Sequence, residues 1–135
     1  MKFKFLEHTA DAKFQAFGKN LEEAFVNAAL ALTKIMIDSK VKAKITKKIK
    51  VSGNDNKSLL YNFLEELLFL LDTKNFLLSK IKEIKIKNNT LTAVLIGDNN
   101  LKSYEIKTNI KAITYHEMFI KQENNKFALQ VVLDI

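Results

Sequence analysis

"KIKEIKIKNNTLTAVLIG", residues 80–97, decides the fold. Lysines alternate with isoleucines over 80–87, the period of a half-buried strand. Residues 90–96 form a second apolar strand. Only Asn88-Asn89 separates them, and so short a joint makes antiparallel neighbours. The same reading extends downstream. Residues 101–108, 110–121 and 127–134 are expected strands, joined by "GDNN" (97–100) and "ENN" (123–125).

Upstream the period changes. "LLYNFLEELLFLL" (59–71) lies in an expected helix over about 58–72. Its Leu59, Leu60, Phe63, Leu64, Leu67, Leu68, Leu70 and Leu71 cover more than one face, so the helix should be buried on two sides. "SGNDN" (52–56) is a turn cluster before it. Residues 41–51 alternate as a strand. "LEEAFVNAALALTKIMI" (21–37) is a first helix whose alanines allow close packing. Asn20 and Glu23 resemble a capping box at its start. Residues 2–6 and 13–17 are short strands flanking His8-Thr9-Ala10-Asp11. The order β-β-α-β-α-β-β-β-β-β is α+β, with two helices packed on mainly antiparallel sheet in one domain, 1–135.

Composition narrows the function. The 135 residues are 47% hydrophobic and 27% charged, as in globular proteins. Without cysteine there is no disulfide, zinc thiolate or cysteine nucleophile. With three glycines and no proline there is no Gly-rich phosphate loop. "MKFKFLEH" lacks a signal-peptide core, and no apolar run approaches the roughly 18 residues of a membrane span. These features read as a cytoplasmic protein with no membrane partner. No heptad seam appears, so a monomer is expected.

The net charge is +7, and every basic residue is lysine. A basic surface attracts nucleic acid or an acidic protein. Lysine lacks the planar fork that reads phosphate or guanine bidentately. The lysines of 40–51 and 80–87 should line the wet face of a sheet.

Candidate chemistry is sparse: His8 and Asp11 in one turn; Lys111, Thr114, Tyr115 and His116 in "IKAITYHEMFI"; Asp134 and Ile135 in "VVLDI". A strand that ends the chain fixes its α-carboxylate against the sheet. Beside Asp134 this makes two anions, and Asp11 would make three, all ionised at neutral pH. Such oxygens suit Ca²⁺ or Mg²⁺, or a lysine. Equally, Asp11 is a common turn former and termini fray in water. The histidines have no serine or cysteine nucleophile at a matching spacing, so a hydrolase triad has no support.

"HTAD", "LEEAF", "LLYNFLEELLFLLD", "KAITYHEM" and the terminal "VVLDI", in that order across nearly the whole chain, resemble the archease family. The resemblance implies a small α+β protein that is not itself an enzyme. It implies an activator of the RtcB-type RNA ligase, which joins RNA ends in tRNA splicing and RNA repair with GTP and Mn²⁺. Archeases promote guanylylation and turnover of that ligase and broaden its nucleotide use. The family's metal ligands fall here on Asp11, Asp134 and Ile135, and its functional lysine on Lys111. The expected cofactor is a divalent cation, Ca²⁺ first, with Mg²⁺ or Mn²⁺ as alternatives. The expected partner is the ligase, with tRNA or other RNA reached through it. A basic RNA-binding module and a chaperone-like interaction protein are the rival readings. No role is assigned to His8, His116 or Glu117.

Overall fold

The structure is a computed structural model that describes residues 1–6 and 11–135. Strands β1 (Phe3–Leu6) and β2 (Asp11–Gly18) precede helix α1 (Leu21–Met36). Strand β3 (Ile45–Ser52) leads to helix α2 (Asn56–Lys74). Strands β4 (Leu77–Lys87), β5 (Thr90–Asp98), β6 (Ala112–Glu123) and β7 (Lys126–Asp134) complete the chain. The strands fall into two antiparallel sheets, ordered β1-β2-β7-β6 and β3-β5-β4. Both helices touch both sheets: α1 packs on β2 and β4, and α2 on β6 and β3.

The turns explain the pairing. Asn88 and Asn89 have φ of 52° and 57°, and Asn124 and Asn125 have 51° and 61°. Two consecutive left-handed residues match the twist of a hairpin, and asparagine tolerates that region well. So the stretch at 80–97 folds as expected, and β6–β7 repeats the device.

The helix ends are equally local. Asn20 Oδ1 accepts from Glu23 N–H at 2.8 Å. Glu23 returns to the N–H of Lys19 rather than Asn20, at 3.0 Å, so the box closes one residue early. Asp55 and Ser58 form a complete box at the start of α2. Asn75, left-handed at φ 57°, ends that helix. Inside, Ala24, Ala28, Ala29 and Ala31 are fully buried. They let α1 approach β2 closely, and buried Asn27 bonds the Phe17 carbonyl at 2.6 Å. The buried residues of α2, Leu59, Leu60, Phe63, Leu64, Leu67 and Leu70, share one broad face. Leu68 and Leu71 are only half-buried and Phe69 is exposed, so the expected burial on two sides is not seen.

One expected strand is not there. Residues 101–108 form a 3₁₀ turn (Leu101–Ser103) and then extended chain outside both sheets. Their alternation is real, with Tyr104, Ile106 and Thr108 half-buried between exposed neighbours. The N–H groups of Lys107 and Thr108 bond the Met36 carbonyl at the end of α1, at 2.9 and 3.4 Å. Period-two burial here reflects a segment lying along the core without a ladder. The strand expected over 41–51 likewise begins only at Ile45, although Val41 is buried.

Asp98, at the end of β5, is buried. Its Oδ2 accepts from Tyr104 O–H at 2.6 Å and its Oδ1 from Asn100 N–H at 3.1 Å. The Tyr104 bond leads in holding the Asp98 carboxyl below its ordinary value. Asp55 is lowered chiefly by the Ser58 N–H, and Asp38 chiefly by Lys107. Depressed folded values mean that this stabilisation is complete above an unfolded pKa of about 3.9 and is lost as pH falls through the folded values. Thermal melts are therefore expected to be level from pH 7 to about 5 and to fall below about 4. Asp55→Asn keeps a good cap and should make the acid limb shallower. An acid limb identical to the parent's would remove Asp55 from this account.

Candidate functional site

Asp11 opens β2, and Asp134 closes β7. The two are direct register partners. Opposed residues of an antiparallel pair share a face, with Cβ atoms about 4.5–5.5 Å apart. Ala112 is the partner of Asp134 on the other side, so β6 completes the floor. The two acids expected from opposite ends of the sequence therefore meet. Asp11 is half-buried with Oδ1 shielded from solvent, whereas Asp134 is exposed. The remaining members of the expected turn, His8, Thr9 and Ala10, lie outside the described residues.

Asp11 and Ile135 line one open cleft of about 920 Å³. Lys13, Lys34 and Lys107 line it too. Lys107 arrives on the 101–108 segment and pairs with Asp38 at 2.6 Å. Lys34 bonds the Asp38 carbonyl at 3.2 Å. Sequence reasoning missed Lys34 and Asp38, at and just past the end of α1, and Lys107, which the path of 104–108 across that helix end brings to them. The cleft thus mixes carboxylates with ammonium groups. Among the described residues, no three His, Asp or Glu side chains gather as a metal cluster. The donor set that fits a hard cation is two aspartates with Ile135, all oxygen donors.

Lys111 sits differently. Its N–H donates to the Asp134 carbonyl at 2.8 Å, so it is fixed beside the aspartate pair. Yet it lines a second cleft, of about 580 Å³, with Glu65, Glu66 and Asp72 of α2. Residues 111–112 thus touch the Asp134 backbone on one side and line the second cleft on the other.

The "TYHEM" portion of β6 explains a further cluster. Pairing with β7 runs through Thr114↔Val132 and resumes at Phe119↔Gln130. The residues between, Tyr115 to Met118, form a wide bulge opposite Val131. Glu117 is left-handed there, at φ 52°, a costly conformation for this residue type. Its carbonyl accepts from Gln130 Nε2 at 2.9 Å, and Gln130 Oε1 accepts from Gln15 Nε2 at 2.9 Å. Glu117 Oε1 pairs with Lys13 Nζ, and Glu117 Oε2 with His116 Nε2, each at 3.0 Å. Lys13 stands two residues from Asp11 on the same strand face. The bulge also lifts Tyr115 onto Tyr61 of α2, with ring centroids 4.4 Å apart and planes 7° from parallel. Thr114 Oγ1 donates to the Val132 carbonyl at 2.7 Å. Gln15 and Gln130 share the strand face of the aspartates, a polar run that alternation could have revealed. The bulge itself left no signal.

The arrangement defines a small α+β domain with an acidic pair where its first long strand meets its last. The chain belongs to the archease family: the profile described as "Archease protein family (MTH1598/TM1083)" matches residues 3–135. It is 43% identical over 137 residues to the archease of Sulfurisphaera tokodaii, covering 99% of each chain. It is 40% identical to that of Methanothermobacter thermautotrophicus, covering 98% of each. The solution structure of Methanobacterium thermoautotrophicum protein 1598 superposes with a TM-score of 0.84 at 40% identity, covering 98% of each chain. An archease from Thermotoga maritima, described as a possible chaperone, shares the fold at a TM-score of 0.68 and 20% identity, with 98% and 96% covered. No helix among the described residues is long and apolar enough to cross a membrane.

Proposed function

We propose that this protein is a non-enzymatic activator of an RtcB-type RNA ligase in tRNA splicing and RNA repair. It promotes guanylylation and repeated turnover of the ligase and broadens its nucleotide use. Asp11, Asp134 and Ile135 hold a divalent cation, with Ca²⁺ as the first candidate and Mg²⁺ or Mn²⁺ next. The observation that carries the reading is the Asp11↔Asp134 register in a chain of this family. Two carboxylates fixed face to face repel one another, and a cation relieves that opposition.

A bound cation would supply positive charge for phosphate oxygens at the mouth of the first cleft. The chain's own residues do the positioning. The β2–β7 ladder sets the spacing of the acids, and the Lys111 N–H holds the Asp134 backbone. Lys34 and Lys107 line the same cleft as Asp11, where their ammonium groups favour an anionic ligand.

The test is single-turnover guanylylation of purified ligase, without RNA, in the presence and absence of this protein. A higher rate supports the activator. An unchanged rate contradicts it. A second reading, RNA binding, rests on the outer face of β3-β5-β4. There Lys50 and Lys85 flank Thr92 from opposite sides, and Lys48 and Lys87 extend the row. Stimulation only with RNA present, and a steep loss of affinity with salt, would favour it.

A further inference from the structure

The second cleft reverses the sign of the surface. On a chain of net charge +7, Glu65, Glu66 and Asp72 line it with a single cation, Lys111. None of the three acids forms an ion pair among the described residues. Burial pushes the Glu66 carboxyl above its ordinary value.

The acids surround an apolar centre. Phe69 is 55% exposed, the most exposed aromatic side chain among the described residues. On the helix, Glu65, Glu66 and Asp72 lie four and three residues from it, so all are its surface neighbours. Half-buried Leu68 and Ile110 line the same cleft. Tyr61, one turn before Glu65, stacks on exposed Tyr115 beyond. Aromatic faces ringed by carboxylates match one side chain above others. Arginine stacks on the first and forms bidentate pairs with the second. This chain has no arginine to supply.

We infer that the groove between α2 and residues 110–113 docks a basic, arginine-bearing segment of the partner protein. This inference rests on the ligase reading for the identity of that partner. It goes beyond it in assigning a docking surface separate from the aspartate pair. Lys111 borders both, so docking brings the partner to the strand end that carries Asp134.

The experiment measures ligase binding and guanylylation for the parent, Phe69→Ser, the double change Glu65→Lys with Glu66→Lys, and Asp134→Asn. Glu65, Phe69 and Asp134 are exposed and Glu66 is half-buried, and equal circular dichroism and melting temperature will confirm folding. The groove variants are expected to bind at least tenfold more weakly. Phe69→Ser should recover full stimulation at saturating concentration. Parent affinity should fall as salt rises, and the charge-reversed double variant should lose that dependence. Asp134→Asn should bind as the parent does and fail to stimulate. If the parent binds and stimulates but the groove variants bind equally well, the groove assignment alone is overturned. If the parent neither binds nor stimulates, the ligase reading falls and takes the groove's occupant with it. A salt-sensitive dimer of the parent, abolished by the double variant in sedimentation, would instead assign the groove to a second copy's lysine face and overturn the inference.

Discussion

Ligase mixed with the Asp11→Asn protein is expected to guanylylate at its unstimulated rate. The change is nearly isosteric and lies at the first residue of β2, so the ladder with β7 survives. It removes one of two opposed charges. A hard cation binds anionic oxygen far better than an amide, and the remaining donors, Asp134 and Ile135, are both exposed. The loss should be nearly complete, on the order of a hundredfold or more if the aspartates act as one unit. The melting temperature without added cation should hold or rise, because like charges directly opposite destabilise a strand pair. Loss of stimulation with unchanged stability marks a working site. Loss of both would mark Asp11 as structural. Full stimulation would remove Asp11 from the proposal.

Phe63→Ala should bring the largest loss of stability. Phe63 is fully buried in α2 and stacks on Phe25 of α1, centroids 5.8 Å apart and planes 23° from parallel. It therefore joins the two helices that hold the two sheets together. Truncating a buried phenylalanine typically costs 3–5 kcal/mol, part transfer and part cavity. A domain of this size has roughly 5–15 kcal/mol in all. The melting temperature should fall by roughly 10 °C or more, read by calorimetry. A shift under about 2 °C would show that the site collapses around the gap and that the stack contributes little. Leucine at the same position keeps much of the volume and should recover most of the loss.

These two positions also show what sequence pattern carries and what it does not. Phe63 was legible because a 3.6-residue period marks a helix face whatever it packs against. The paired asparagines at 88–89 and 124–125 were legible because two-residue turns restrict the chain locally. The division into two sheets was not, since local periodicity is the same in either arrangement. Residues 101–108 misled for a related reason. Alternation reports which side chains are buried, whereas a strand also needs a ladder, and the N–H groups of Lys107 and Thr108 bond the end of α1 instead.

At the site the pattern carried still less. Spacing in the sequence says nothing about two acids 123 positions apart. Their meeting depends on the β2–β7 register. The family resemblance supplied the pairing, and register supplies its physical reason. Lys111 was anticipated beside the carboxylates, and its backbone is there, but its position also borders the acidic groove of α2. That groove combines residues of α2 with residues 110–113, and only the packing of α2 on β6 brings them together. The left-handed Glu117 was invisible for the same reason, because a bulge is set by the mismatch between two strands.

The proposed cation site requires Asp11 and Asp134 to act together on one cation. Calorimetric titration of Ca²⁺, and then Mg²⁺ and Mn²⁺, into the parent, Asp11→Asn and Asp134→Asn proteins tests it most directly. One cation per chain for the parent, with the heat lost in both variants, is the predicted result. Equal binding by all three proteins, or no binding by the parent, would contradict it.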